Sequence, residues 1–306
     1  MSRLNRVLDE YLRLRRTLGF RLEREGHLLA QFVAFLESQD SAYISAPLAI
    51  RWACAPPGGS LKWSHARLGM VRGFARYLSA LDPRTQVPDC ELLPASPRAR
   101  HSPHIYTEDE ICTLMRAAAT LHGLKSVTYA TLFGLLATTG MRVGEAIALD
   151  RDDVDCHKGV LVIRHGKFDK ARELLLHPTT IQALCRYVSE RDRRLVQARS
   201  PSFLLSLAGT RLNYKNVHYG FLRLLQQAGL AKQRPRPRLH DLRHSFAVNT
   251  LVRWYRQGVD VEARLPALST YLGHVAPSST YWYLTATPQL LQLASKRAEA
   301  VQEVLT

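Results

Sequence analysis

Only five cysteines occur in 306 residues, Cys54, Cys90, Cys112, Cys156 and Cys185, and no two stand at C-x-x-C spacing. An odd, scattered set offers neither a disulfide frame nor a thiolate metal site, so reduced thiols in a cytoplasmic setting are expected. The chain also lacks a glycine-rich phosphate loop, an internal repeat and a low-complexity tract. It has no acidic cluster able to hold magnesium, so a metal-dependent nuclease or transposase fits poorly, and neither metal nor cofactor is expected. Long hydrophobic runs are missing too. The longest apolar tract, around 129–141, is broken by Thr and Gly and is too short to span a bilayer. Asp9 and Glu10 lie within the first turns, where a signal peptide would carry an apolar core. No membrane partner is expected.

Acid is scarce relative to base: 26 Asp and Glu stand against 42 Lys and Arg, a formal charge of +16. The excess is spread along the chain. Residues 1–100 carry 15 basic and 9 acidic side chains, and the remainder carries 27 and 17. Two basic halves suggest a clamp around a polyanion more than a single basic tail, which makes nucleic acid the expected partner.

The length suffices for two cores. Leu4, Val7, Leu8, Tyr11 and Leu12 recur at helical period, and Gly19 ends that helix. A second helix turns Leu22, Leu29, Phe32, Val33 and Leu36 inward. A third starts near Pro47, and Ser60 caps a fourth whose other faces carry Lys62, Arg67, Arg72 and Arg76. These four cations read equally well as a DNA-facing row and as an ordinary solvated face. Residues 1–82 are therefore read as a small helical domain. Five prolines and a few basic residues between 83 and 103 read as a linker. A larger domain spans 104–287, and a last amphipathic helix lies within 288–306. Thr107 with Glu110 forms a capping box opening the larger domain. Strand character appears at 160–165 and 172–176, with 166–171 as the turn between them, and again near 203–205. The fold class is therefore mainly α with a small antiparallel sheet (α+β).

The chemistry concentrates between Leu239 and Tyr283. His240 and Arg243 stand three apart and share a helix face. A planar guanidinium fork and a neighbouring imidazole suit a phosphate. His274 follows Gly273, a helix-ending residue, and supplies another donor. Tyr283 brings a phenolic oxygen nine positions later. Several donors and one nucleophile make a phosphoryl-transfer site. His244 is four residues after His240, a spacing that also occurs in metal sites; no third ligand accompanies it, so a structural role is expected.

These segments resemble the tyrosine recombinase (phage integrase) family. The resemblance is carried by His240-x-x-Arg243, Leu272-Gly273-His274 and Thr280-x-x-Tyr283. It also draws on Thr139-Gly140-Met141-Arg142-Val143-Gly144-Glu145, in which Glu145 stands three residues from Arg142 and could orient or neutralise it, and on Gly166-Lys167-Phe168-Asp169-Lys170-Ala171-Arg172, five signals in order over about half the chain. Phe168 departs from the pattern, which often has a second glycine there. The resemblance implies a helical N-terminal core-binding domain and a mixed α/β catalytic domain. It implies site-specific DNA recombination through a 3′-phosphotyrosyl intermediate, without metal or ATP. Arg142 and Arg243 would hold the non-bridging oxygens, Lys167 would protonate the leaving 5′ oxygen, and His240 and His274 would hydrogen-bond the phosphate. Tyr283 would be the nucleophile, with Tyr281 a packing or surface residue. The implied partners are double-stranded DNA and further copies of the chain, a tetramer at a Holliday junction, with the final helix docked on a neighbour; accessory recombinases are possible partners. A type IB topoisomerase, or a DNA-binding accessory protein with a decayed site, are the competing readings.

Overall fold

A serine hydroxyl opens the chain's first helix: Ser2 accepts the Asn5 N–H at the start of α1 (Arg3–Thr17). The structure is a computed structural model. It describes all residues except 1, 21, 56–58, 96–101, 165–170, 196, 275, 277, 286 and 306, and only the backbone at 285 and 297–305. The chain divides into two compact units, residues 1–100 and 101–306.

In the first unit, α1 and α2 (Glu23–Glu37) pack their apolar stripes with α3 (Ala46–Cys54) and α4 (Leu61–Ser79) around Phe32, Val33, Leu36, Val71 and Phe74, all fully buried. Ser60 caps α4 by accepting the Trp63 N–H. Arg67 departs from the expected solvated row. It is buried, its guanidinium lying 3.5 Å over the Trp52 ring and donating to the Trp52 carbonyl at 2.7 Å. A π face and a carbonyl replace the water such a charge requires. Part of the stretch read as a linker, as far as Pro94, is held against this unit. Gln86 N–H donates to the Ile44 carbonyl, Leu93 enters the core, and His65 bonds the Pro94 carbonyl.

The second unit opens with α5 (Glu108–Ala119), where Thr107 and Glu110 form the full capping box. α6 (Leu124–Thr139), with Lys125 as its one charged residue, runs through the core and fills it with Tyr129, Leu132, Phe133 and Leu136. Gly140 ends it at φ +61°, where a Cβ would stand 2.4 Å from Phe246 Cδ1. Only glycine satisfies both the left-handed backbone and that approach. α7 (Val143–Ala148) follows. Three short antiparallel strands come next in the order β1-β2-β3: β1 (Val154–Asp155), β2 (Val160–Ile163) and β3 (Arg172–Leu175). The register pairs Ile163 with Arg172 and Leu161 with Leu174. The segment near 203–205 is not a strand of this sheet. Ser202 and Leu205 make isolated bridges to Asp150 and Arg211, and Arg191 Nη1 donates to the Phe203 carbonyl between them.

The unit continues with α8 (Pro178–Arg194), α9 (Tyr214–Gln227), α10 (Asp241–Arg256), α11 (Val261–Leu272), the single turn α12 (Ser278–Tyr281) and α13 (Pro288–Leu305). α10, α11 and the start of α13 enclose a smaller core of Val248, Leu251, Leu265, Leu272, Tyr283 and Leu290. Leu290 is fully buried and Leu293 packs beside it, so the first turns of α13 belong to this chain's own interior. Among the described residues no helix is long and apolar enough to cross a membrane.

Candidate active site

Three chain reversals deliver the polar groups. Gly140 turns the end of α6 so that Arg142 becomes the residue preceding α7. There the Glu145 carboxylate accepts the Arg142 backbone N–H at 2.8 Å and its Nη1 at 2.7 Å. Nη2 donates to the Gly273 carbonyl at 3.2 Å. Glu145 thus fixes both the backbone and the side chain of Arg142.

The second reversal starts α10. His240 precedes it, and Arg243 lies in its first turn, with 2% of its surface exposed. A buried guanidinium needs acceptors. Nη1 donates to the Gly140 carbonyl and Nη2 to the Leu272 carbonyl, each at 2.8 Å. Both carbonyls lie at helix ends, where intrahelical partners run out. Burial first, then the nearby Arg142, push Arg243 down to about 10, which leaves it charged at neutral pH.

Gly273 supplies the third reversal, at φ +67°, and hands His274 out of α11. The His274 N–H bonds back to the Ser269 carbonyl, and its Nδ1 pairs with the buried Thr280 hydroxyl at 2.7 Å. That pairing ties His274 to the turn preceding Tyr283, whose ring lies at 20° to the imidazole with centroids 6.0 Å apart. Tyr283 is 2% exposed, whereas Tyr281 is 54% exposed. Burial pushes the Tyr283 hydroxyl up, and Arg243 and Arg142 pull it partly back.

Arg142, His240, Arg243, His274 and Tyr283 are therefore brought together. Lys167 and Lys170 lie outside the described residues. His244 stands at the back of the group, edge-on to His240, Trp282 and Tyr283 at centroid distances of 4.7, 5.2 and 5.5 Å. Among the described residues no group of three His, Cys, Asp or Glu side chains is arranged to hold a metal ion.

Spacing alone does not mark one further member of the group. Arg172, the first residue of β3, grips Glu145 with Nη1 at 3.1 Å and Nη2 at 2.8 Å, and its Nε donates to the Tyr271 carbonyl at 3.0 Å. Its signals in the sequence are its place at the end of the 166–172 motif and its alternation with the buried Leu174, which puts a charged residue on the inward face of a strand. Burial alone would raise the Glu145 carboxyl; hydrogen bonds from Arg172 and Arg142 outweigh it and hold the group below its ordinary value. A cavity of about 920 Å³ elsewhere in the unit, lined by Tyr129, Leu205, Leu212, Tyr219 and Arg223, contains none of these residues.

The histidines carry a pH consequence. Burial, then His240, push His244 down to about 4. Burial, then Arg243, Arg142 and Arg172, do the same to His274. Between pH 6.5 and about 4 the unfolded chain takes up protons that the folded chain refuses, so stability is full above 6.5 and falls with pH below it. Each histidine should cost roughly 1 kcal/mol between pH 7 and 5, after discounting for partial exposure. Thermal midpoints at the two pH values check this, and His244→Phe should shrink the difference. An unchanged midpoint in the wild type would contradict it.

Residues 105–289 match the model of the phage integrase family. A Sinorhizobium fredii protein named as a putative integrase/recombinase, y4rB, is 44% identical over 98% of both chains. Tyrosine recombinase XerC of Lacticaseibacillus casei is 30% identical over 72% of this chain and 70% of its own. Among solved structures, the Tn1549 transposon integrase in complex with transposon right end DNA superposes with a TM-score of 0.66 at 16% identity, over 97% of this chain and 98% of that one. A lambda integrase dimer bound to a COC′ core site gives 0.59 at 18% identity, over 90% and 96%. These two likenesses establish the two-domain, mainly helical fold.

Proposed function

The chain belongs to the phage integrase family and is a site-specific DNA recombinase, and from that premise we propose how its side chains divide the work. The observation that carries the reading is the convergence of Arg142, Arg243, His240 and His274 around the buried Tyr283. The substrate is double-stranded DNA. The Tyr283 oxygen attacks the scissile phosphorus, a P–O bond to Tyr283 forms and the P–O5′ bond breaks, leaving a 3′-phosphotyrosyl link and a 5′ hydroxyl.

Arg142 and Arg243 bind the non-bridging oxygens and gain most as negative charge accumulates in the pentacoordinate state. His240 is pushed down by burial and by Arg243, and His274 stands at about 4, so both are neutral at pH 7. A neutral imidazole can donate to the phosphate through one nitrogen and accept through the other. Since the Tyr283 hydroxyl keeps its proton in this buried setting, attack requires an acceptor, and one of these two neutral imidazoles is assigned that task. Lys167 is assigned the protonation of the leaving 5′ oxygen. The phosphotyrosyl bond conserves the energy of the broken one, so rejoining needs no ATP. A topoisomerase would share this cleavage step but would relax a supercoiled plasmid without joining two sites. A nicked duplex that loses its 5′ fragment after cleavage should trap the protein covalently. No adduct on any site the protein binds would sink the reading.

Copies of the chain assemble on DNA as a tetramer, and the end of α13 reaches a neighbouring copy. The support is the apolar spacing of Val301 and Val304 in the sequence. Removing the whole of 288–306 would take Leu290 from the core that holds Tyr283. Deleting 297–306 spares Leu290 and Leu293. Cleavage at a single site should stay within a few-fold, and recombination between two sites should fall at least tenfold. Undiminished recombination by this truncation would refute the docking.

A further inference from the structure

We infer that Arg172 is a positioning residue for the reaction, acting through Glu145 to keep Arg142 electrically available for phosphate. This rests on the role proposed for Arg142. Glu145 is the only carboxylate hydrogen-bonded to these arginines among the described residues, and it is almost fully buried. Paired with Arg142 alone, it would cancel the charge that the phosphate is to meet. The geometry instead gives each carboxylate oxygen two donors. Oε1 accepts Arg142 Nη1 and Arg172 Nη1, and Oε2 accepts the Arg142 backbone N–H and Arg172 Nη2. The trio Arg142–Glu145–Arg172 thus carries one net positive charge, and Glu145 can orient Arg142 without neutralising it. At this low exposure a single unit of charge is weakly screened.

A second link runs through the backbone. Arg172 Nε holds the Tyr271 carbonyl while Arg142 Nη2 holds that of Gly273, two residues on. Both arginines therefore anchor the turn that presents His274. Gly273 is matched to this arrangement: a Cβ there would stand 2.7 Å from Arg172 Nη1, on a residue already at φ +67°. Register places Arg172 opposite Ile163, on the inward face of the hairpin that begins with β2. The hairpin, Arg142 and His274 are thereby fastened to one guanidinium.

Charge balance separates this role from plain structural support. Arg172→Gln leaves the trio neutral, Glu145→Gln leaves it at +2, and the double variant returns it to +1. The rate of covalent capture on a nicked duplex is measured for all three, for wild type and for Tyr283→Phe, with thermal midpoints and DNA affinity alongside. Expected is a 10- to 100-fold loss for Arg172→Gln with affinity within a few-fold, and recovery of at least fivefold in the double variant. Arg172→Lys, which keeps the charge without the fork, should be faster than Arg172→Gln and provides the same reading should the glutamine variant fold poorly. A wild-type rate for Arg172→Gln overturns the inference, as does a double variant no faster than Arg172→Gln. An adduct that persists in Tyr283→Phe strikes instead at the site assignment on which the inference rests.

Discussion

Tyr283→Phe is expected to abolish covalent capture of a nicked duplex while leaving affinity for DNA within a few-fold. The substitution removes one oxygen. The ring stays in the core of α10, α11 and α13, where Tyr283 is 2% exposed, beside Trp282 and His274. Cavity and packing costs are therefore negligible, and the loss reads the chemistry alone. Tyr281 is the control. It lies two residues earlier and is 54% exposed, and the intervening Trp282 packs against the core. Tyr281→Phe should retain most of the activity. An adduct that survives in Tyr283→Phe and vanishes in Tyr281→Phe would move the nucleophile by two residues.

Much of the fold was legible because local chemistry and tertiary packing agree in this chain. Ser60 and the Thr107–Glu110 box cap the helices they announce, and Gly140 and Gly273 sit at φ +61° and +67° where the helices stop. The two longer strands and their antiparallel pairing follow from β-branched and leucine-rich runs around a turn. What escaped is decided by long-range contacts. Arg67 looks like a surface cation until Trp52, fifteen residues away, offers it a ring and a carbonyl. Arg172 looks like a strand-edge charge until α7 brings Glu145 beneath it. Leu290 looks like part of a free stripe, yet α10 already covers it. Spacing brings His240 and Arg243 onto one face, but it cannot tell that Arg243 spends two of its donors on the Gly140 and Leu272 carbonyls.

Those two bonds make Arg243→Lys the second large effect. Lysine keeps the positive charge, so a contribution that was only long-range attraction would survive. It loses the fork: one ammonium cannot hold the Gly140 and Leu272 carbonyls, both met at 2.8 Å, and also face a phosphate oxygen. The carbonyls matter because each ends a segment that carries a site residue. Gly140 leads to Arg142, and Leu272 leads through Gly273 to His274. With the role proposed for Arg243, one lost guanidinium removes a donor to the transition state and loosens the seats of two others. Loss of a donor of this kind slows the chemical step by about two to three orders of magnitude. Leaving one of the two buried carbonyls unpaired costs about 1–3 kcal/mol of stability, which lowers the melting midpoint by several degrees for a unit of this size. DNA affinity should fall only several-fold, because Arg243 is one of 42 Lys and Arg in a chain of formal charge +16, and attraction to a duplex is a sum over many such charges. Single-turnover capture rates, measured below the variant's melting midpoint, decide the matter. A rate within fivefold of wild type would mean that Arg243 holds the three segments together and takes no part in binding the phosphate.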